Sequence, residues 1–380
     1  MVFDHYIHKG RHKLRMGYST GSCAALAAKA GMMMLFSGEG VEQVEIITPK
    51  GLPVCVEVLD ISRNSQEVRC AVRKDGGDDP DATDGCLVYA SVRREDLPGV
   101  WIDGGEGIGR VTKRGLDQPV EAAAINTVPR RMITEVVTAI CAEYNYPGGI
   151  RVIISIPGGE KLAEKTFNSG LGIRGGLSIL GTTGIVEPQS TQALIDCIKV
   201  EIDSWAAEGK TALVLTPGNY GEAFLQQQPD LTAAPTVKYA NYVGDAIDFA
   251  VLAGFKQILL VGNIGKLVKV AGGIMNTHSA VADCRMEIFA AHAAVAGAAQ
   301  STIIELMNAV ATDDCLEILD KAGIQEQVLS TLAVKLAEQL QRRAGADTQI
   351  AAILYSNHWG ELVWAGSVQT IVDSLKKEQL

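Results

Sequence analysis

Apolar and polar positions alternate on two different rhythms along this chain, and the change falls near residue 148. In the first stretch, residues 22–36 gather helix formers behind a cap of threonine, glycine and serine and stop at Ser37 and Gly38. That pattern predicts a helix. Short β-branched runs follow: residues 44–48 and 54–58 flank Pro49, Lys50 and Gly51 as a hairpin, and residues 68–72 and 87–92 continue across a loop rich in aspartate, glycine and proline. Residues 1–147 therefore read as an α+β domain with an antiparallel sheet.

Tyr146, Pro147, Gly148 and Gly149 interrupt both patterns. Beyond them, single apolar runs at 150–156, 177–180, 212–216, 237–240, 257–261 and 351–355 alternate with helical stretches at 190–208, 243–253, 279–296 and 302–343. Buried single strands separated by helices predict a parallel sheet with crossover connections. The expected fold class is α/β plus α+β, with a Rossmann-like parallel-sheet domain over residues 148–380 behind the α+β domain.

Four of the runs end in turns of glycine with threonine, asparagine or proline. Gly158 and Gly159 follow the first, Gly181-Thr182-Thr183-Gly184 the second, Thr216-Pro217-Gly218-Asn219-Tyr220-Gly221 the third, and Gly262-Asn263-Ile264-Gly265 the fourth. Ligands of open α/β sheets bind beyond the carboxyl ends of the strands, so four such turns on one edge describe a site. Gly17-Tyr18-Ser19-Thr20-Gly21-Ser22 is a related turn that opens a helix, where an anionic group can sit on the first N–H groups. The segment Gly104 to Arg110 fails as a dinucleotide fingerprint because Arg110 stands where a third glycine is required, and there is no phosphate-binding Gly-x-x-x-x-Gly-Lys sequence. A nucleoside ligand without a phosphate chain needs hydroxyl, amide and carboxylate partners, which Thr182, Thr183, Asn219, Glu187 and Glu222 supply.

Charge narrows the partners. With 34 basic against 44 acidic residues and a net charge of −10, a broad nucleic-acid surface is not expected. Local basic groups remain at Lys9, Arg11, Lys13 and Arg15, at Arg110, Lys113 and Arg114, and at Arg130 and Arg131, and these are seats for a polycarboxylate. The N-terminus has no apolar core of signal type and the apolar stretch 289–299 is too short to span a bilayer, so a cytoplasmic protein without a membrane segment is expected. Eight cysteines lie scattered without a Cys-x-x-Cys pair, which favours free thiols and no protein metal site. The acidic run Lys74 to Asp81 lacks calcium-loop spacing and reads as a solvated turn. Asn276, Thr277 and Ser279 suit a helix cap, while His278 among them is open to three roles: structural histidine, carboxylate donor, or acid/base group.

Five segments in order, Gly17–Ala25, Lys74–Asp81, Ala124–Arg130, Gly181–Val186 and Asn276–Ser279, resemble the signature segments of the CbiD family, the cobalt-precorrin-5B methyltransferases that modify carbon 1. Departures are small: Ser19 and Ser22 stand in place of threonine, Gly77 in place of alanine and Thr127 in place of proline. The resemblance implies methyl transfer from S-adenosylmethionine to a cobalt-bearing tetrapyrrole in cobalamin biosynthesis, with the metal arriving inside the substrate. With that cofactor, the turns after the strands assign Gly181, Thr182, Thr183, Gly184, Glu187, Thr216, Gly218 and Asn219 as the residues expected to hold it. Arg15, Ser19, Thr20, Gly21, Ser22, Lys113, Arg130, Asn276 and Thr277 are expected to hold the substrate, with His278 the candidate catalytic residue and the macrocycle in a cleft between the two domains. A homodimer is left open. A nicotinamide-dependent tetrapyrrole reductase and a non-catalytic tetrapyrrole carrier are the rival readings.

Overall fold

A computed structural model describes residues 3–9, 11–166, 168 and 171–378, and divides into two compact units between Ser190 and Thr191. In the first unit the hairpin β1 (Tyr6–Lys9) and β2 (His12–Arg15) leads through β3 (Gly17–Tyr18) into α1 (Thr20–Ser37). The predicted hairpin follows as β4 (Gln43–Ile47) and β5 (Pro53–Glu57). Then come β6 (Leu59–Arg63), β7 (Glu67–Arg73), β8 (Leu87–Glu95), β9 (Gly99–Gly104), β10 (Arg110–Val111), α2 (Thr127–Glu143), β11 (Gly149–Ser155), α3 (Gly159–Ala163), β12 (Ile173–Arg174) and β13 (Ile185–Val186). The main sheet has the order β6-β7-β8-β11-β9, antiparallel except where β11 and β9 run parallel.

α1 is the centrepiece of this unit. Residues 23–28 are fully buried, and a β-carbon on Gly31 would come within 2.8 Å of Val92 in β8. The run of alanines and Gly31 allows the helix to lie close on the sheet, where larger residues would hold it away.

The second unit begins with α4 (Thr191–Ala207) and continues through β14 (Ala212–Thr216), α5 (Asn219–Gln226), β15 (Thr236–Lys238), α6 (Val243–Leu252), β16 (Gln257–Asn263) and α7 (Ile264–Ala271). Next are α8 (Arg285–Val295), α9 (Gln300–Met307), α10 (Thr312–Lys321), α11 (Gln325–Ala344), β17 (Gln349–Ser356), β18 (Gly360–Ala365) and α12 (Val368–Lys377). The sheet order is β15-β14-β16-β17-β18, parallel throughout except for β18 at the edge. Alternate strand residues feed two cores. Leu213, Leu215, Ile258, Leu260, Ala352 and Leu354 pack with α6, α7 and α11, while Val214, Leu259, Val261 and Ile353 pack with α5 and α12. Helices thus cover both faces, which is why these strands are apolar at every position.

Two expectations are corrected. Residues 150–156 form a strand, β11, but it belongs to the sheet of the first unit between β8 and β9, so the break at Pro147 and Gly148 is a tight approach to a strand and not the division between units. Residues 177–180 form no strand of the parallel sheet. Their backbone is threaded between two loops: Leu177 exchanges hydrogen bonds with Gly107 and Gly109, and Ile179 with Ala124 and Asn126. An apolar run shows that a segment is buried, while its partners come from distant residues.

Candidate functional site

In the first unit, the two related glycine turns are locked into each other. β13 pairs with β3, aligning Ile185 with Tyr18. The Ser19 N–H and the Ser22 hydroxyl both donate to the Gly184 carbonyl, at 2.9 and 2.7 Å. The Gly21 N–H donates to the Leu180 carbonyl at 3.0 Å, and the Leu180 N–H donates back to the Thr20 hydroxyl at 3.0 Å. Ser19 caps α1 by accepting from the Ser22 N–H. The N–H groups of Gly21 and Ser22 are therefore already taken, and Ser19, Thr20, Gly21 and Ser22 are all buried. The substrate carboxylate expected at this helix start would therefore not find the Gly21 and Ser22 N–H groups free, since both are bonded within the chain.

Glycine is required on both sides of this lock. A β-carbon on Gly181, whose φ is +129°, would lie 2.3 Å from the Ser19 hydroxyl oxygen, and one on Gly21 would lie 2.7 Å from Pro129. The same closeness joins Gly17 to the acidic loop, where an added β-carbon would sit 2.2 Å from the Asp75 carbonyl. Four of the five signature segments thus meet as one knot around the start of α1. Thr183 uses its hydroxyl on the backbone of Ile185, and Glu187 pairs with Lys50. Thr182 is exposed, with no hydrogen bond among the described residues.

The basic groups near the knot are engaged as well. Arg15 grips Asp75 with two bonds of 2.6 and 2.8 Å, and Asp78 accepts from the Arg15 N–H. Burial alone would raise the Asp75 pKa, yet the Arg15 contact and the Gly77 N–H hold it below the usual carboxylate range. Lys74 is buried against Asp81, whose pKa is likewise depressed: burial pulls it up and the lysine outweighs it. Arg130 donates to the carbonyls of Ile125, Ile102 and Ala123, which fixes the turn before α2, and burial lowers its pKa. Lys113 lies along Gly172, partly buried. The acidic run expected to be a solvated turn is instead the partner of Arg15 and Lys74.

The second unit carries the remaining expected residues on the carboxyl edge of its parallel sheet. The strand order reverses direction between β14 and β16, and the loops after these two strands touch: a β-carbon on Gly262 would lie 3.1 Å from Pro217. Thr216 ends β14 fully buried, and its hydroxyl has no partner among the described residues. Gly218 has open space around it and precedes α5 without a side-chain cap. The first hydrogen bonds of α5 are made by the N–H groups of Gly221 and Glu222, leaving those of Asn219 and Tyr220 without a partner among the described residues. Lys238, at the end of β15, reaches the Asn219 side-chain oxygen at 3.4 Å and Glu222 at 3.2 Å.

Asn276, Thr277 and His278 lie beside the loop after β15. The buried Thr277 donates its N–H to the Asn241 carbonyl, and Gly244 donates to Met275. His278 is exposed; its Nδ1 accepts from the Ala280 N–H and its own N–H donates to the Asn276 side chain. Buried Lys269 holds this segment from beneath, donating to the carbonyls of Thr277 and Ala282 at 3.2 and 2.9 Å. Consequently the helix expected from Ser279 begins only at Arg285.

The expected cofactor residues therefore fall in different units, with 181–187 in the first and 216–219 in the second. Sequence reasoning missed Lys238, Lys269 and Tyr220; Tyr220 stood in the quoted turn, while the lysines had only ordinary charged-surface signals. Among the described residues, no cluster of histidine, cysteine or carboxylate groups is placed to hold a metal, and no helix is long and apolar enough to cross a membrane.

Similarity to known proteins extends over nearly the whole chain. Residues 7–188 match the CbiD family and residues 276–366 match the CbiD C-terminal domain. A cobalt-precorrin-5B C(1)-methyltransferase of Ruminiclostridium cellulolyticum is 45% identical over 93% of this chain and 92% of its own length. The enzyme of the same name from Alkaliphilus metalliredigens is 41% identical over 99% of this chain and 98% of its own. A crystal structure described as cobalamin biosynthesis protein (cbiD) from Archaeoglobus fulgidus is 29% identical, covering 70% of this chain and 83% of that one, with a TM-score of 0.39. The matches to both parts of the family, in order, together with relatives more than 40% identical over nearly the whole chain, make this chain a member of the CbiD family.

Proposed function

We propose that this protein transfers a methyl group from S-adenosylmethionine to carbon 1 of cobalt-precorrin-5B, giving cobalt-precorrin-6A and S-adenosylhomocysteine. The observation that carries this reading is the 45% identity to a relative of that name over more than nine-tenths of both chains. The second unit supports it as a Rossmann-like domain, since its parallel sheet is covered on both faces and has one reversal of strand order. The donor fits the turn from Thr216 to Asn219, which offers an unpartnered hydroxyl, open space at Gly218 and free N–H groups.

S-adenosylmethionine supplies an electrophilic methyl on a sulfonium whose leaving group is a neutral thioether. The C–S bond breaks with its electrons passing to sulfur, while the macrocycle provides the pair for the new C–C bond. The protein's task is alignment and exclusion of water, so no nucleophilic side chain is needed. His278 and Asn276, exposed or half-buried on the same sheet edge, are the groups proposed to orient the macrocycle, with Thr277 holding that segment in place. The first unit is proposed as the substrate side, its knot setting the backbone on which exposed Thr182 stands.

Incubation with cobalt-precorrin-5B and donor labelled in the methyl group tests the reading. The expected result is label on carbon 1 and one S-adenosylhomocysteine formed per product. Oxidation of NADPH without label transfer would point to a reductase, and substrate binding without turnover to a carrier; either sinks the methyltransferase reading.

A further inference from the structure

Resting on that reading, we infer that the first turn of α5 is the carboxylate seat of the methyl donor: the amino-acid carboxylate of S-adenosylmethionine is received by the Asn219 and Tyr220 N–H groups beside Lys238. Three independent observations converge on this turn. Its first two N–H groups have no partner among the described residues, and they carry the positive end of the helix dipole. The Thr216 hydroxyl, fully buried and unpartnered, is aimed into the same turn: a β-carbon on Gly221 would lie only 1.7 Å from it. A buried hydroxyl without a partner is uncommon and costly, and this one lies against Gly221 in the first turn of α5, the same turn that carries the open amides. Finally, the Lys238 ammonium stands 3.4 Å from the Asn219 side chain and contributes positive charge, shared with Glu222.

The place in the sheet agrees. β14 and β16 flank the reversal of strand order, and α5 starts directly from β14, so its N-terminus faces the crevice in which open parallel sheets bind ligands. The knot in the first unit offers a contrast, a helix start whose second and third N–H groups, those of Gly21 and Ser22, are bound to Leu180 and Ser19. Anion binding at a helix start requires N–H groups within reach of the ligand; the start of α1 is buried under chain contacts, while that of α5 has open space at Gly218.

A proline substitution isolates the backbone group. Asn219 is the first residue of α5, a position where proline is accommodated without loss of the helix, so Asn219→Pro removes one N–H and leaves the fold. Asn219→Ala keeps the N–H and removes the side chain. Calorimetric titration with S-adenosylhomocysteine should show at least a roughly tenfold weaker affinity for Asn219→Pro, and a loss under about threefold for Asn219→Ala. The decarboxylated analogue of S-adenosylhomocysteine should bind the wild type and Asn219→Pro equally, because the interaction is then absent from both. Equal affinity of wild type and Asn219→Pro for S-adenosylhomocysteine overturns the inference while leaving the methyltransferase reading intact. So does a loss confined to uroporphyrin III, a polycarboxylate tetrapyrrole, which would assign the turn to a substrate carboxylate. Absence of any S-adenosylhomocysteine binding by the wild type sinks both.

Discussion

Two glycine-rich turns in this protein look alike in composition and do opposite work. Residues 180–184 fit against the start of α1 through the carbonyls of Leu180 and Gly184, the Leu180 N–H, the Ser22 hydroxyl and close glycine contacts. Residues 216–221 present two N–H groups and a hydroxyl without partners among the described residues, and open space at Gly218. Glycine serves close approach of chain to chain in the first turn and, in the proposed reading, access for a ligand in the second. A glycine-threonine turn is therefore not a binding signal until its donors are shown to be open.

The strongest way to break this contrast is at Gly17. Gly17→Ala puts a β-carbon 2.2 Å from the Asp75 carbonyl and 2.4 Å from Gly76, both backbone, so neither can rotate aside. A loss of about 2–4 kcal/mol in urea unfolding is expected, from overpacking that only a backbone shift relieves. A variant as stable as wild type would show that the knot is loose.

Arg130→Met separates a structural arginine from a substrate ligand. It leaves three carbonyls without their donor, and a stability loss of about 1–3 kcal/mol is expected from a partly buried charged hydrogen-bonding group. An unchanged melting temperature with a raised KM for the tetrapyrrole would return Arg130 to the substrate.

Acid titration reads the ion pairs of the knot. Asp75 and Asp81 have folded pKa values below their unfolded ones, so their stabilisation is present above about pH 4 and is lost as pH falls through the depressed folded values. Unfolding followed between pH 5 and 2, in steps of about half a unit, should show the first unit weakening in that window. With Asp75→Asn the dependence should shrink.

The smallest effect is expected from Thr182→Val combined with Thr183→Val. Thr182 makes no hydrogen bond among the described residues, and the Thr183 hydroxyl bonds to the backbone of Ile185 two residues away. Affinity for S-adenosylhomocysteine should change less than about twofold, with stability lowered by less than about 1 kcal/mol. A tenfold loss of affinity would restore this turn to the cofactor.

Much of the fold was legible where a local pattern decides it. α1 was readable from its alanines and cap, β4 and β5 from their turn, and β14, β16 and β17 from apolar runs long enough to be buried on both faces. Partner choice was not. Residues 150–156 and 177–180 carry the same apolar composition as the parallel strands, yet β11 is claimed by β8 and β9 and residues 177–180 by two loops. Lys269 illustrates the same limit at a single side chain: nothing in its neighbours predicts that its ammonium gathers the carbonyls of Thr277 and Ala282 and delays α8. In the candidate site, Thr216, Gly218 and Asn219 were readable as a turn after a strand. Whether their donors were open depended on packing.

Hydrogen exchange with and without S-adenosylhomocysteine compares the two turns in one experiment. Ligand should slow exchange in a peptide covering residues 216–226 and leave residues 178–186 unchanged, because the inferred carboxylate seat lies in the former. Protection confined to residues 178–186 would contradict the assignment of the knot to structure and of the α5 turn to the ligand.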